Sequence, residues 1–244
     1  MSRRMLLIDA GNSALKWAVV DAGQWRAQGR SDYADWSGLK AELTPDATCF
    51  IASVADAARD AALTALLGEA DSAAVWLKAE AVLGDLKNSY LDPQQLGVDR
   101  WMGLIGARQR TCDPVLVVSA GTAMTVDALA ADGVFLGGVI VPGFALMRQA
   151  LQQGTARVAD ASGEWQAFPR ATADAVYSGL LAALCGTIRQ QYAHLAEFSG
   201  KPPRCLLTGG DAALLLPHLN LPAELIPALI LEGIHCVAVE SMSR

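Results

Sequence analysis

The sequence predicts an α/β protein made of two copies of one unit, two α/β halves around a central cleft. A hairpin with a glycine turn occurs twice, as LIDAGNSALKW (7–17) and VVSAGTAMTVD (117–127). Apolar strand-like runs alternate with helical runs along the whole chain. No low-complexity linker separates the two halves, so a cleft between tightly joined halves is expected.

The first hairpin is built from the apolar run Met5–Ile8, a polar break at Asp9–Ser13 and a second run through Trp17–Val20, with DAGQW turning the chain again. TCFIASVA (Thr48–Ala55) reads as a short buried strand. DAARDAALTALLGEA (Asp56–Ala70) reads as a helix, capped by Asp56 and closing near Gly68. AVWLKA reads as a strand and LKNSYLDPQQLG as a loop rich in turn formers. VDRWMGLIGARQR (Val98–Arg110) has Trp101, Leu104, Ile105 and Arg108 at helical spacing.

The pattern then restarts. A shift of 110 residues lays Ala10 on Ala120, Gly11 on Gly121, Asn12 on Thr122 and Gly23 on Gly133. The second copy begins near Pro114, which gives expected halves of 1–113 and 114–244. Helices are expected over Phe144–Gln153 and Thr172–Phe198. PRCLLTGGDAALLL (Pro203–Leu216) reads as strand, glycine pair and helix, and LPAELIPALILEGIHCVAVESM closes the chain with a strand and a helix.

Composition narrows the function. The 244 residues are 52% hydrophobic and 18% charged, enough for a sizeable core. The formal net charge is -6 and no basic stripe occurs, which argues against a nucleic-acid partner. The apolar stretch at the start meets Asp9 too soon for a secretory signal, and no stretch is suited to span a membrane. Cys49, Cys112, Cys185, Cys205 and Cys236 are scattered and odd in number, as expected of reduced thiols in a cytoplasmic protein. His194, His218 and His235 show no metal-ligand spacing.

Two glycine turns facing each other would form a phosphate clamp. Glycine lets the backbone approach closely and aim N–H groups at anionic oxygens. Asn12, Ser13 and Thr122 add side-chain donors, and Asp9 and Asp127 could hold Mg²⁺, directly or through water, against a triphosphate. Asp, Asn and Gly also populate ordinary hairpin turns; the in-register pair favours phosphate. Neither a Walker A loop nor a dinucleotide fingerprint occurs. LGVDRWMG puts Asp99 and Arg100 at a helix start. Asp99 there is either a simple cap or a base that accepts a hydroxyl proton in phosphoryl transfer, and Arg100 would clamp an anionic substrate. Gly209 and Gly210 suit either close approach of a nucleoside or a plain tight turn with Asp211 capping the next helix.

Together, DAGNSALKW, YLDPQQLGVDRW, GTAMTVD, GGVIVPG, ATADAVYSG and LTGGDA resemble the type III pantothenate kinases, of the acetate and sugar kinase/Hsp70/actin superfamily. The stretches lie in the family's order and cover nearly the whole chain. The sequence is also similar to the Bvg accessory factor proteins, which makes a non-catalytic regulatory protein the alternative. The resemblance implies a homodimer of ribonuclease H-like halves, an actin-like ATPase fold, that phosphorylates pantothenate with ATP in the first step of coenzyme A synthesis. It implies that Asp9, Ala10, Gly11, Asn12, Ser13, Ala14, Leu15, Lys16 and Thr122 bind ATP, and that Asp99 accepts the pantothenate hydroxyl proton. Tyr90, Gly97, Val98, Asp99, Arg100 and Thr172 would line the pantothenate site, with Thr172 reaching in from the partner subunit. Where many family members carry an Asp that helps hold an activating potassium or ammonium ion, this chain has Ser119. A neutral hydroxyl is a weaker ligand for a hard cation than a carboxylate.

Overall fold

The computed structural model describes residues 4–154 and 162–243. Contacts divide the chain into two compact units, 1–110 with 228–244, and 111–227.

In the first unit, β1 (Met5–Ala10), β2 (Ala14–Asp21) and β3 (Gln24–Asp32) form an antiparallel meander. The β2–β3 turn puts Ala22 and Gly23 at φ 50° and 75°, the left-handed pair that suits the twist of a two-residue hairpin. After α1 (Ser37–Lys40) the chain adds β4 (Thr48–Ser53) parallel to β1, crosses through α2 (Ala57–Glu69) and adds β5 (Ala73–Trp76) parallel to β4. The sheet order is β3-β2-β1-β4-β5. Asp56 caps α2 as the sequence suggests, its Oδ1 accepting from Arg59 N–H at 2.9 Å. The strand read over AVWLKA ends early, at Trp76, and the stretch read as loop opens with a short strand, β7 (Leu86–Asn88), paired antiparallel with β6 (Val82–Leu83) just before it. Helix α3 covers Val98–Arg110, the bounds expected from its periodicity.

The second unit repeats the plan. β8 (Val115–Ala120), β9 (Ala123–Leu129) and β10 (Val134–Pro142) form a meander. Helices α4 (Phe144–Gly154) and α5 (Thr172–Ser199) follow. β11 (Arg204–Thr208) then pairs parallel to β8, and after α6 (Ala212–Leu215), β12 (Glu224–Leu225) pairs parallel to β11. Within this unit the order β10-β9-β8-β11-β12 matches that of the first sheet strand for strand. The 110-residue offset superimposes the ends of β1 on β8 and of β3 on β10. The two sheets share one mixed α/β topology.

Each sheet buries one face under its own helix, because alternate residues of a strand point to opposite faces. Leu6, Ile8, Leu15, Trp17 and Ile51 cluster with Leu63, Leu66 and Leu67 of α2. Leu116, Val118 and Val126 cluster with Leu180, Leu181, Leu184 and Ile188 of α5.

The closing helix α7 (Leu229–Ser243) departs from the expected halves. The sequence reading puts it in the half 114–244, whereas contacts place it in the first unit, against α3. Its glycine explains the close approach. A Cβ on Gly233 would lie 1.8 Å from the Met102 carbonyl oxygen, and one on Gly106 would lie 2.2 Å from that of Leu229. Arg110 forks onto Glu232, with both nitrogen–oxygen distances at 2.7 Å. The five cysteines are free; burial pushes the Cys49 and Cys205 thiols up to about 12, so they act as inert core groups. Among the described residues, no helix is long and apolar enough to cross a membrane.

Candidate functional site

The first glycine turn closes β1 onto β2. Gly11 N–H donates to the Ala14 carbonyl at 3.1 Å, which leaves Asn12 and Ser13 exposed at the tip. Ala10 and Leu15 are 1% and 0% exposed, so only their backbone is available to a ligand. Asp9 and Lys16 are direct cross-strand partners. Asp9 is 7% exposed and alternates with Ile8 and Ala10, which face α2, so it faces the opposite side of the sheet. Burial drives its carboxyl up to about 7; Lys16 opposes this, and the charge of Asp99 adds to it.

Asp99 and Arg100 stand in the first turn of α3. The Asp99 carboxylate folds back over the helix start, so close to Gly97 that a Cβ there would lie 2.6 Å from Oδ1. Any side chain at residue 97 would push the carboxylate away. Burial raises the Asp99 pKa, while bonds accepted from backbone N–H groups and the Arg100 charge pull it down. Asp99 is thus a half-buried carboxylate in the first turn of α3, within the field of Asp9.

Arg100 is 6% exposed and donates from Nη1 to the Tyr90 hydroxyl at 2.7 Å, its guanidinium 5.6 Å from the Tyr90 ring centre. Reading the residues one at a time does not find Tyr90; only the resemblance places it in the site. The loop that carries it is ordered by Asn88, which no sequence signal singles out. Asn88 Oδ1 accepts from Tyr90 N–H at 3.1 Å, and Nδ2 donates to the carbonyls of Glu80 and Pro93 at 3.3 and 3.2 Å. A concavity of about 370 Å³ opens beside the helix start, with Ser53, Lys78, Gln94, Gly97 and Val98 in its wall. That lies in the range of small-molecule sites, roughly 300–1,000 Å³. A larger cavity of about 660 Å³ shares Lys78 and Gln94 but borders none of the expected site residues, whereas the smaller one borders Gly97 and Val98.

In the second unit the corresponding turn is tighter. Ala120 pairs with Met124, and Gly121 N–H donates to the Ala123 carbonyl at 3.1 Å. Thr122 is exposed at its tip. Two other family-like stretches converge on it. Gly143 N–H donates to the Thr122 carbonyl at 2.9 Å, and Asp211 N–H donates to the Ala120 carbonyl at 3.0 Å. Gly209, at φ 100°, passes so close that a Cβ would lie 2.1 Å from the Ala120 oxygen. Asp211 makes no side-chain cap to α6, so the capping reading of that residue does not hold.

Ser119 sits where Asp9 sits in the first unit, and its cross-strand partner is Thr125 in place of Lys16. A carboxylate–ammonium pair in one copy is thus a pair of hydroxyl residues in the other. Asp127 lies further along the same face of β9, opposite Val117, and is 1% exposed. Thr172 is the exposed first residue of α5. Among the described residues no three His, Cys, Asp or Glu side chains gather into a metal cage.

Comparison with known proteins identifies the family. The family profile for type III pantothenate kinase matches residues 5–194. A type III pantothenate kinase of Thiobacillus denitrificans is 61% identical over 98% of both chains. A solved structure described as a Baf family transcriptional activator from Campylobacter jejuni superimposes with a TM-score of 0.65 at 23% identity, over 98% of this chain and 100% of that one. MreB 5 of Spiroplasma citri, bound to AMPPNP, superimposes with a TM-score of 0.50 at 10% identity, over 100% and 98% of the two chains. These two structures speak for the fold alone. The matched profile spans most of the chain, and by it this protein belongs to the type III pantothenate kinase family.

Proposed function

We propose that Asp99 is the general base for transfer of the ATP γ-phosphoryl group to the pantothenate hydroxyl. Phosphorylation of pantothenate with ATP, the entry to coenzyme A synthesis, is the activity of the family. The observation that carries the assignment is the Asp99 carboxylate, half-buried at the α3 N-terminus beside the Arg100–Tyr90 pair. The hydroxyl oxygen of pantothenate forms the new bond to the γ-phosphorus as the bond to the ADP oxygen breaks. The hydroxyl proton passes to Asp99. Arg100 and Tyr90 hold the pantothenate carboxylate, a fork donor and a hydroxyl suited to that anion. Gly97 and Val98 form the wall against which the substrate lies, and Thr172 of the partner subunit completes the site in a homodimer. Phe168, 89% exposed shortly before Thr172, is the kind of apolar surface that such an assembly would cover.

The first turn, Asp9 to Lys16, and Thr122 in the second receive the nucleotide. Magnesium accompanying ATP would offset charge on the phosphates. Asp9 fits as its holder through water: its carboxyl, pushed up to about 7 by burial, is stabilised in the charged form by added positive charge. Asp127 would be the second such carboxylate. Neutral Ser119 and Thr125 are poor partners for a monovalent cation, and the enzyme works without requiring one. A cytoplasmic enzyme fits the free thiols. Retention of Asp9, Asp99 and Arg100 gives the non-catalytic alternative no support. The test is release of ADP from ATP and Mg²⁺ by the purified protein, with and without pantothenate; release independent of pantothenate would contradict it.

A further inference from the structure

We infer that Tyr33, a residue with no role in the readings above, is a positioning residue that clamps the first glycine turn in its ligand-ready form. The Tyr33 hydroxyl donates to the Gly11 carbonyl at 2.5 Å. Its ring is held on two sides, with the Arg59 guanidinium 4.5 Å from its centre and the Trp36 ring edge-on at 6.1 Å. Arg59 is in turn tied to Asp56 at 3.0 Å. The backbone that presents Tyr33 is fixed from below by Asp32, whose Oδ1 accepts from Ala34 and Asp35 N–H at 2.9 and 3.0 Å.

The bond has a directional consequence. In a trans peptide the C=O of Gly11 and the N–H of Asn12 point in opposite directions. No peptide bond in the described chain is cis. Holding the Gly11 oxygen toward Tyr33 therefore turns the Asn12 N–H away from it. The Gly11 N–H is already engaged with Ala14. Tyr33 thus orients the next backbone donor at the turn tip, where Asn12 is exposed.

The duplication supplies independent support. The 110-residue offset that relates the two turns carries Tyr33 onto Gly143. Each follows directly on the third strand of its meander, after Asp32 and after Pro142. Gly143 makes a related contact one residue further along its turn, donating its backbone N–H to the Thr122 carbonyl at 2.9 Å. A side chain would not fit there, since a Cβ would fall 1.9 Å from the Gly121 oxygen. Both copies restrain a carbonyl of the glycine turn from one topological position, one through a phenol and the other through an amide. The phenol remains a donor across the working pH range: burial and the charges of Asp60, Asp56 and Asp9 raise its pKa above the ordinary value, against Arg59.

This rests on the reading that the first turn receives the ATP phosphates. The test is Tyr33→Phe, which keeps the ring stack and removes only the bond. We expect the KM for ATP to rise roughly two- to tenfold, the range set by one net hydrogen bond, with the KM for pantothenate and the melting temperature close to wild type. An unchanged ATP KM would overturn the proposal. So would an equal rise in both KM values with a lower melting temperature, which would mark Tyr33 as scaffold. Asn12→Ala, assayed alongside, separates the two layers. If it weakens ATP while Tyr33→Phe does not, the clamp fails and the turn reading stands; if neither changes ATP binding, both fail.

Discussion

Arg100 donates to the Tyr90 hydroxyl across 2.7 Å, from a guanidinium that is itself almost wholly buried. A buried guanidinium beside a phenol hydroxyl offers a charged fork that suits an anion. Removing that hydroxyl by Tyr90→Phe should raise the KM for pantothenate roughly ten- to a hundredfold, the range of one hydrogen bond to a charged group, while the KM for ATP stays put. Asn88→Ala, which frees the loop carrying Tyr90, should act in the same direction. Steady-state kinetics with each substrate varied in turn checks both.

Asp9 and Asp99 together give the activity an acid limb. Burial favours the neutral carboxyl in both, whereas the proposed chemistry needs the charged forms. Protonation removes function, so kcat/KM should be half-maximal near pH 7, the Asp9 value, rise to its plateau above it and fall as the pH drops through it. The two groups interact, so the limb belongs to the pair. A profile flat down to pH 5 would show that neither shift operates in the working enzyme.

Ser119 and Thr125 replace an Asp–Lys pair in the duplicated frame. Turnover should therefore change little when sodium replaces potassium. Ser119→Asp should introduce a dependence on potassium by restoring a hard anionic ligand. A steep loss of wild-type rate in sodium would mean that other groups complete a cation site.

Helix α3 reaches its place through glycine contacts with α7. Gly233→Ala would drive a methyl into the Met102 carbonyl and should cost about 3 kcal/mol or more in thermal or urea unfolding. Gly179→Ala, on α5 with nothing within 4 Å of the added carbon, should be neutral or stabilising by about 0.5–1 kcal/mol. Equal effects at the two sites would contradict the close-packing argument.

Local signals in the sequence carried far. The periodicity of VDRWMGLIGARQR gave α3 its bounds, and the offset of 110 found the two meanders because a glycine turn between apolar runs is a local pattern. What lay beyond reach depends on contacts distant in sequence. The placing of α7 with the first unit rests on Gly106 and Gly233 meeting backbone more than a hundred residues away. Tyr33 and Asn88 look like ordinary polar-loop residues until the fold brings one to Gly11 and the other to three separate backbone groups. The side chains of Ala10 and Leu15, inside a stretch expected to bind ATP, are core.

The most direct measurement is single-turnover phosphorylation of pantothenate by Asp99→Asn. The amide keeps the shape at the α3 N-terminus but cannot accept the hydroxyl proton. The rate should fall roughly 10²- to 10⁴-fold, with ATP binding and the melting temperature close to wild type. A variant that phosphorylates pantothenate at near wild-type rate would show that the base lies elsewhere.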